Sequence, residues 1–296
     1  MTVAAGNVVR LDRAAMQHWL PKLDEWLLPG LFYGVQHTWP QLYRSDGDGM
    51  FFALFEDSPE GERLVSHCAC RVVTVETGRG SVRCALLGSV ATDPARRGQG
   101  HANQVLAAAL AACDERAGAV LLWAERPELY ARHGFVAGRD ETCLAVMRRP
   151  RRENVLVRHA EVRDHAALHA LHERNPLRVV RSPSVMSGLL TTPGMTTVVL
   201  EEDVGISAYA CCGKGADLQG HWHELGGTDA AVARLLPAAM HVADQLEAVV
   251  LVPPYRQTLR AALGASVVGE GVVPGPMVRT KPGIDATFWI DGLDSV

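Results

Sequence analysis

A mixed α/β protein built as two successive units of similar element order is what this sequence predicts, and three observations predict it. The apolar run Ala85-Leu86-Leu87-Gly88-Ser89-Val90-Ala91 leads into a glycine-rich turn, Arg97-Gly98-Gln99-Gly100-His101-Ala102, and then into a helical pattern from Asn103. A polar break, Arg148-Arg149-Pro150-Arg151-Arg152-Glu153-Asn154, divides the chain near its middle. Beyond it, strand and helix patterns return in the same order, without close sequence repetition. A length of 296 residues suits two domains of ordinary size, and the break places them at 1–149 and 155–296.

Each element has a local reason. Asp12 to Leu28 has apolar residues at helical spacing (Met16, Leu20, Leu23, Trp26, Leu27), and Pro29-Gly30 stops it. Met50 to Glu56, Leu64 to Thr77 and Val82 to Ala91 read as strands, the last two joined through Gly78-Arg79-Gly80. Val105, Leu106, Ala109, Leu110 and Cys113 share one face of a helix from about Ala102 to Ala117, with Gly118 placed for a left-handed cap. Ala119 to Ala124 is a continuous apolar run suited to a strand buried on both sides. Glu128 to His133 reads as a short helix and Cys143 to Met147 as a strand closing the first unit. In the second half, Val162 to Glu173 is a helix, followed by strands at Thr196 to Glu202, Gly205 to Cys212 and His221 to Leu225. A helix then runs to about Glu247, kinked at Pro237. Ala248 to Val252 (strand), Tyr255 to Leu263 (helix) and Val273 to Arg279 (strand) complete the order.

The turn at 97–102 is an anion trap. Helix N-termini leave backbone N–H groups without partners and carry about half a positive charge. Gly98 and Gly100 let the backbone close on a phosphate, and Arg96 and Arg97 add planar donors. No Lys-Ser/Thr follows the glycines, and Asn103 stands where a dinucleotide fingerprint needs its third glycine. The pattern present is Arg-x-x-Gly-x-Ala (Arg97, Gly100, Ala102), with Pro94 ahead of it and Leu129-Tyr130-Ala131-Arg132-His133-Gly134-Phe135 downstream. Together these motifs resemble the coenzyme loop and the Tyr-before-Gly-Phe signature of the GNAT superfamily of N-acetyltransferases, over nearly all of residues 7–149.

The resemblance implies a tandem acetyltransferase-fold enzyme that takes acetyl-coenzyme A, or another short acyl-coenzyme A, and acylates an amine by direct attack in a ternary complex. It assigns coenzyme contacts to Val90, Ala91 and Thr92 on the strand and to Arg96, Arg97, Gly98, Gln99, Gly100, His101 and Ala102 in the loop. Tyr130 becomes the candidate acid for the thiolate; its alternative is a half-buried tyrosine packed beside Phe135. The base has three candidates: Glu125 at the end of the buried strand, His67 on a central strand, and Val296, through a terminal carboxylate docked in the site as in tandem relatives. The family often has Asn near the end of the buried strand, where this chain has Trp123-Ala124-Glu125-Arg126-Pro127. No phosphate loop precedes the corresponding helix of the second half, and Asp229 is placed to cap it and repel a phosphate. That half is therefore expected to be degenerate, shaping the acceptor cleft. Tandem relatives of the enhanced-intracellular-survival type usually carry a further sterol-carrier-like domain, for which this chain is too short.

Composition sets the class. Lys and Arg number 29 against 33 Asp and Glu, a formal charge of −4, which argues against general nucleic-acid binding. No run approaches the roughly 18–20 apolar residues of a membrane span, and Met1 to Arg10 lacks a signal-peptide pattern. Seven cysteines, mostly in apolar stretches, suit a reducing compartment, so the cytoplasm is expected. His165, His169 and His172 share a helical face and His221 and His223 alternate on a strand, but no further ligand stands at metal-site spacing, and no metal is expected. The resemblance implies a small-molecule amine or a peptide N-terminus as the acceptor. The alternative from another class is a non-catalytic acyl-coenzyme A-binding or sensor protein of the same fold.

Overall fold

The computed structural model describes residues 8–59, 61–150, 156–284 and 287–296. The middle of the polar break, Arg151 to Asn154, lies outside them, as does most of the stretch read for a signal peptide. The first half contains β1 (Val8–Leu11), α1 (Arg13–Leu27), α2 (Val35–Thr38), α3 (Pro40–Tyr43), β2 (Met50–Ser58), β3 (Gly61–Thr77) and β4 (Gly80–Thr92). It continues with α4 (His101–Asp114), β5 (Ala119–Leu122), α5 (Glu128–Ala131), β6 (Val136–Ala137) and β7 (Glu141–Met147). The second half holds β8 (Leu156–His159), α6 (His165–His172), β9 (Arg178–Val179), α7 (Pro183–Leu190), β10 (Thr196–Glu202), β11 (Gly205–Cys212) and β12 (His221–Gly227). After these come α8 (Asp229–Val242), β13 (Glu247–Val252), α9 (Leu259–Leu263), β14 (Val267–Val273) and β15 (Met277–Thr280).

The strands form two mostly antiparallel sheets flanked by helices, but the sheets trade strands across the polar break. The first sheet runs β1-β2-β3-β4-β5-β15-β6, with β9 added to β3; the second runs β14-β7-β13-β12-β11-β10-β8. Thus Cys143–Met147, expected to close the first unit, pairs through β7 with β13 and β14 of the second sheet. In return β15 enters the first sheet between β5 and β6. Both exchanged strands are short and apolar on their buried face, so either sheet could accept them on patterning alone.

α4 lies over one face of the first sheet, where Val105, Leu106, Ala109, Leu110 and Cys113 pack on Phe52, Cys68, Leu87 and Val120. α1 covers the opposite face, with Met16 and Leu23 against Phe51, Ala53 and Ala69. In the second sheet α8 packs Val232, Leu235, Leu236 and Ala239 on Val198, Ala210, Trp222 and Val250.

Three local readings are corrected. Gly118 does not cap α4, which ends at Asp114 with Glu115 as its C-cap; among the described glycines of left-handed backbone it is absent, and it instead gives room to Ile284, whose Cδ1 lies 3.2 Å from where a Cβ would sit. α8 ends at Val242 rather than near Glu247, and Glu247 already begins β13. Thr228, not Asp229, caps α8, its hydroxyl accepting from the Ala231 N–H at 3.2 Å, because Asp229 is drawn off by Arg256 and Thr258.

Candidate active site

The site begins where two neighbouring strands part. β4 pairs in parallel with β5 only over Cys84–Leu86 against Ala119–Leu121, while it stays paired with β3 out to Thr92. From Leu87 onward β4 therefore offers backbone donors and acceptors into a wedge beside the end of β5. Within the wedge lies a bulge: His67 faces Ala91 and Ala69 faces Gly88, so Ser89 and Val90 together oppose Cys68. Ser89 takes a left-handed φ of 52°, uncommon for a residue with a side chain.

His67 props this bulge. It is fully buried, and its Nδ1 lies 3.0 Å from the Ser89 carbonyl oxygen. A carbonyl only accepts, so Nδ1 carries the hydrogen and Nε2 is left as a lone pair, buried without a partner. Burial pushes its pKa down to about 4, so the ring is neutral near pH 7. The rings of Tyr43 and Phe51 flank it at 6.2 and 6.3 Å.

The glycine loop follows at once. Asp93 opens it by accepting the Ala95 N–H at 2.9 Å and an ion pair from Arg63. Gly98 and Gly100 have φ of 79° and 83°, and nothing lies within 4 Å of a Cβ at either, so backbone conformation rather than crowding requires glycine there. Gly100 is the N-cap of α4, with no side chain covering the first N–H groups. The named side chains divide. Arg96 pairs with Glu56 at 3.0 Å, and His101 is buried, 3.7 Å from the same carboxylate. Arg97 is exposed, its Nε reaching the Thr92 carbonyl at 3.4 Å. The loop's free donors are thus its main-chain N–H groups and the Arg97 fork. That set fits a pyrophosphate.

Across the wedge, Tyr130 on α5 is half-buried and meets Phe135 edge-on at 6.2 Å. Burial, with Cys68 and Glu125 adding to it, pushes its pKa up to about 12, so the phenol keeps its proton. Glu125 is exposed just past β5, and Arg126 bonds Glu128 at 3.1 Å rather than Glu125.

Sequence reasoning missed what brings the C-terminal segment here. Trp289 to Asp294 are buried, and Val296 packs among the residues of α1, β2 and β4 and also beside Ile290 and Trp123. A Cβ on Gly88 would fall 2.6 Å from the Val296 carbonyl carbon and 2.7 Å from its oxygen. A glycine inside an apolar strand was the available signal, since it marks a close backbone approach. Its partner lay too far along the chain to be read.

The second sheet carries the same opening, closed. β12 and β13 pair only over His221–Trp222 against Val249–Val250. Arg256 fills the space beyond, donating to the Leu225 carbonyl at 2.7 Å, the Gly227 carbonyl at 3.0 Å and Asp229 at 3.0 Å. Asn175 adds a bond to Leu225. The histidines read for a metal each have another partner: Ser187 for His165, the Arg181 carbonyl for His169 and the Val179 carbonyl for His172. His221 bonds the Gln219 carbonyl, and His223 accepts from the Lys214 N–H.

The parted strand pair, the bulge, the glycine loop and the tyrosine before Gly-Phe all fall within residues 36–138, which match the family model described as an acetyltransferase (GNAT) domain. This region is a GNAT acetyltransferase domain. The whole chain has the tandem GNAT fold. A conserved protein of unknown function from Enterococcus faecalis V583 superposes with a TM-score of 0.72 at 13% identity, covering 94% of this chain and 73% of that one. A GCN5-related N-acetyltransferase from Kribbella flavida gives 0.64 at 18% identity over 93% and 70% of the two chains. Eis1 from Mycobacterium abscessus gives 0.60 at 14% identity over 93% and 73%. A search of curated protein sequences finds no match. No helix among the described residues is long and apolar enough to cross a membrane.

Proposed function

We propose that the protein is a cytoplasmic N-acetyltransferase that moves an acetyl or other short acyl group from coenzyme A to a primary amine. The observation that carries this reading is the open wedge of the first sheet, which ends in an uncapped glycine loop with Tyr130 opposite. Main-chain N–H groups of Gly98 to Ala102 and the Arg97 fork would take the pyrophosphate, while Val90, Ala91 and Thr92 would pair with the pantetheine arm. Arg96 and His101 would act indirectly, holding the loop against Glu56.

The amine attacks the thioester carbon, a C–N bond forms and the C–S bond breaks. The thiolate takes a proton from Tyr130, whose raised pKa keeps that proton available. The ammonium proton must go to a base. Of the three candidates, the Val296 carboxyl is favoured by its approach to the bulged strand at Gly88. His67 would instead fix the bulge that aims the β4 amides, and Glu125 would face solvent beside the acceptor entrance. The second unit would line the acceptor cleft, and the slight overall acidity suits a cationic acceptor.

The test is coenzyme A release from acetyl-coenzyme A across polyamines, aminoglycosides, amino-acid amides and short peptides. Release with at least one amine class, lost on deleting the last three residues while calorimetric coenzyme affinity persists, is expected. Affinity without release from any amine would favour the coenzyme-binding alternative, and unchanged turnover after the deletion would remove Val296 from the chemistry.

A further inference from the structure

Lys214, in the loop between β11 and β12, is fully buried. A buried ammonium loses several kcal/mol of hydration and is normally compensated by a carboxylate. Here Nζ instead donates to the Ser295 carbonyl at 2.6 Å and the Ser295 hydroxyl at 3.0 Å. Two neutral oxygens of one residue are weak compensation. Burial accordingly pulls the lysine down to about pKa 8, with Asp217 and Asp294 supporting its charge and Arg71 and Arg181 opposing it. It still carries that charge at neutral pH. Its own N–H donates to Nε2 of His223, a neutral imidazole that lies against Gly292.

The residue before Ser295 is fixed as firmly. Asp294 accepts from Arg181 at 2.9 Å and from Arg71 of β3 at 3.4 Å. Arg181 in turn makes a two-pronged pair with Glu224 of β12 at 2.7 and 2.8 Å. Consecutive residues of the tail are therefore gripped by buried cations from both sheets, and the next residue is the one that reaches Gly88.

We infer that Lys214 is a positioning residue for acyl transfer: by holding Ser295 it fixes Val296 against the bulged strand, so that the unit without a phosphate loop sets the geometry of the unit that has one. This inference rests on the acetyl-transfer reading above. It gives a reason for a costly buried charge that no stability argument supplies.

The test uses the full chain with Lys214→Met, which keeps the apolar stem, and Ser295→Ala, which removes one acceptor and spares the backbone contact. Three quantities are read: hydrogen exchange of the peptide covering 291–296, coenzyme affinity by calorimetry, and kcat and KM with the best amine of the panel. Lys214→Met is expected to speed exchange of the tail and lower kcat by about a hundredfold, the scale of a one-ångström misplacement. KM and affinity for acetyl-coenzyme A should stay unchanged. Ser295→Ala should move the same quantities in the same direction by less. Combined with deletion of Val296, Lys214→Met should lower kcat no further. A tail still protected in Lys214→Met, or a released tail with unchanged kcat, overturns the inference while leaving acetyl transfer standing. Absence of amine-dependent coenzyme release in the unmodified chain overturns the acetyl-transfer reading, and this inference with it.

Discussion

The two wedges of this molecule start alike and end differently. In each, a strand carrying an internal glycine pairs only briefly with the next parallel strand and leads to a helix of fourteen residues. In the first, Gly100 leaves the helix start without a side-chain cap, and nothing lies within 4 Å of a Cβ built on it. In the second, Thr228 caps the helix, and the Arg256 guanidinium bridges the Leu225 and Gly227 carbonyls. The glycine within each strand tells the same story: Gly88 makes room for Val296, whereas Gly226 makes room for the ring of Tyr209, 2.0 Å from a built Cβ. An unfilled backbone opening is costly in a sheet, because buried N–H and C=O groups need partners. One half keeps that cost for use; the other has removed it with side chains.

The largest test of this contrast is electrostatic. Gly100→Glu places a carboxylate and a strained φ at the bare helix start and should weaken calorimetric acetyl-coenzyme A binding at least about a hundredfold. Thr228→Glu, at the capped start, should leave that binding untouched. Equal loss from both would break the comparison.

Next comes the plug. Arg256→Ala removes the side-chain donor to the Gly227 carbonyl, the shorter of two to the Leu225 carbonyl and the cation beside Asp229, and a loss of about 3 kcal/mol in urea unfolding is expected, with coenzyme affinity unchanged. A gain of a second coenzyme equivalent in calorimetry would show the second wedge to be only blocked, not lost.

The bulge has an acid limit of similar size. His67 titrates at about 4 in the fold against an unfolded value near 6.5, so below that value the unfolded chain binds more protons. Its contribution is complete above pH 6.5 and falls away toward pH 4, by about 3 kcal/mol in all. Stability measured across that window should show the loss, and His67→Gln should flatten it. A wild-type profile level from pH 6.5 to 4 would contradict the buried neutral imidazole.

The smallest effects separate the two strand glycines. Gly226→Ala forces Tyr209 aside and should cost about 1–3 kcal/mol, as overpacked cores do, with no change in kcat beyond it. Gly88→Ala presses on Val296 instead and should reduce kcat more than it reduces the melting temperature. Identical behaviour of the two would mean the tail has no special place in the site.

Much of this contrast was legible because it is local. Gly98 and Gly100 act within a few residues of themselves, so spacing marked the loop, and the resemblance of Leu129-to-Phe135 to a family signature singled out Tyr130. The alternation of apolar residues likewise placed most strands to within a few positions. What stayed hidden depends on distant partners. Asp229 reads as a cap until Arg256 takes it. Gly118 reads as a helix stop until Ile284 arrives beside it. Lys214 and Arg181 drew no notice in the sequence because their partners, Ser295 and Asp294, stand far along the chain. The exchange of β7 and β15 is invisible for a simpler reason: Glu141–Met147 and Met277–Thr280 carry no mark of which sheet will take them.

That exchange also bears on synthesis. β5 sits beside the wedge, and its edge away from β4 is paired with Met277–Thr280, a strand from far along the chain. The first half therefore cannot complete its sheet before that strand has been made. Until that strand emerges, the nascent chain carries an open apolar edge, the kind of surface that chaperones bind and that other chains can join. Vectorial folding, one half after the other, is closed to this topology, and the two halves must mature together.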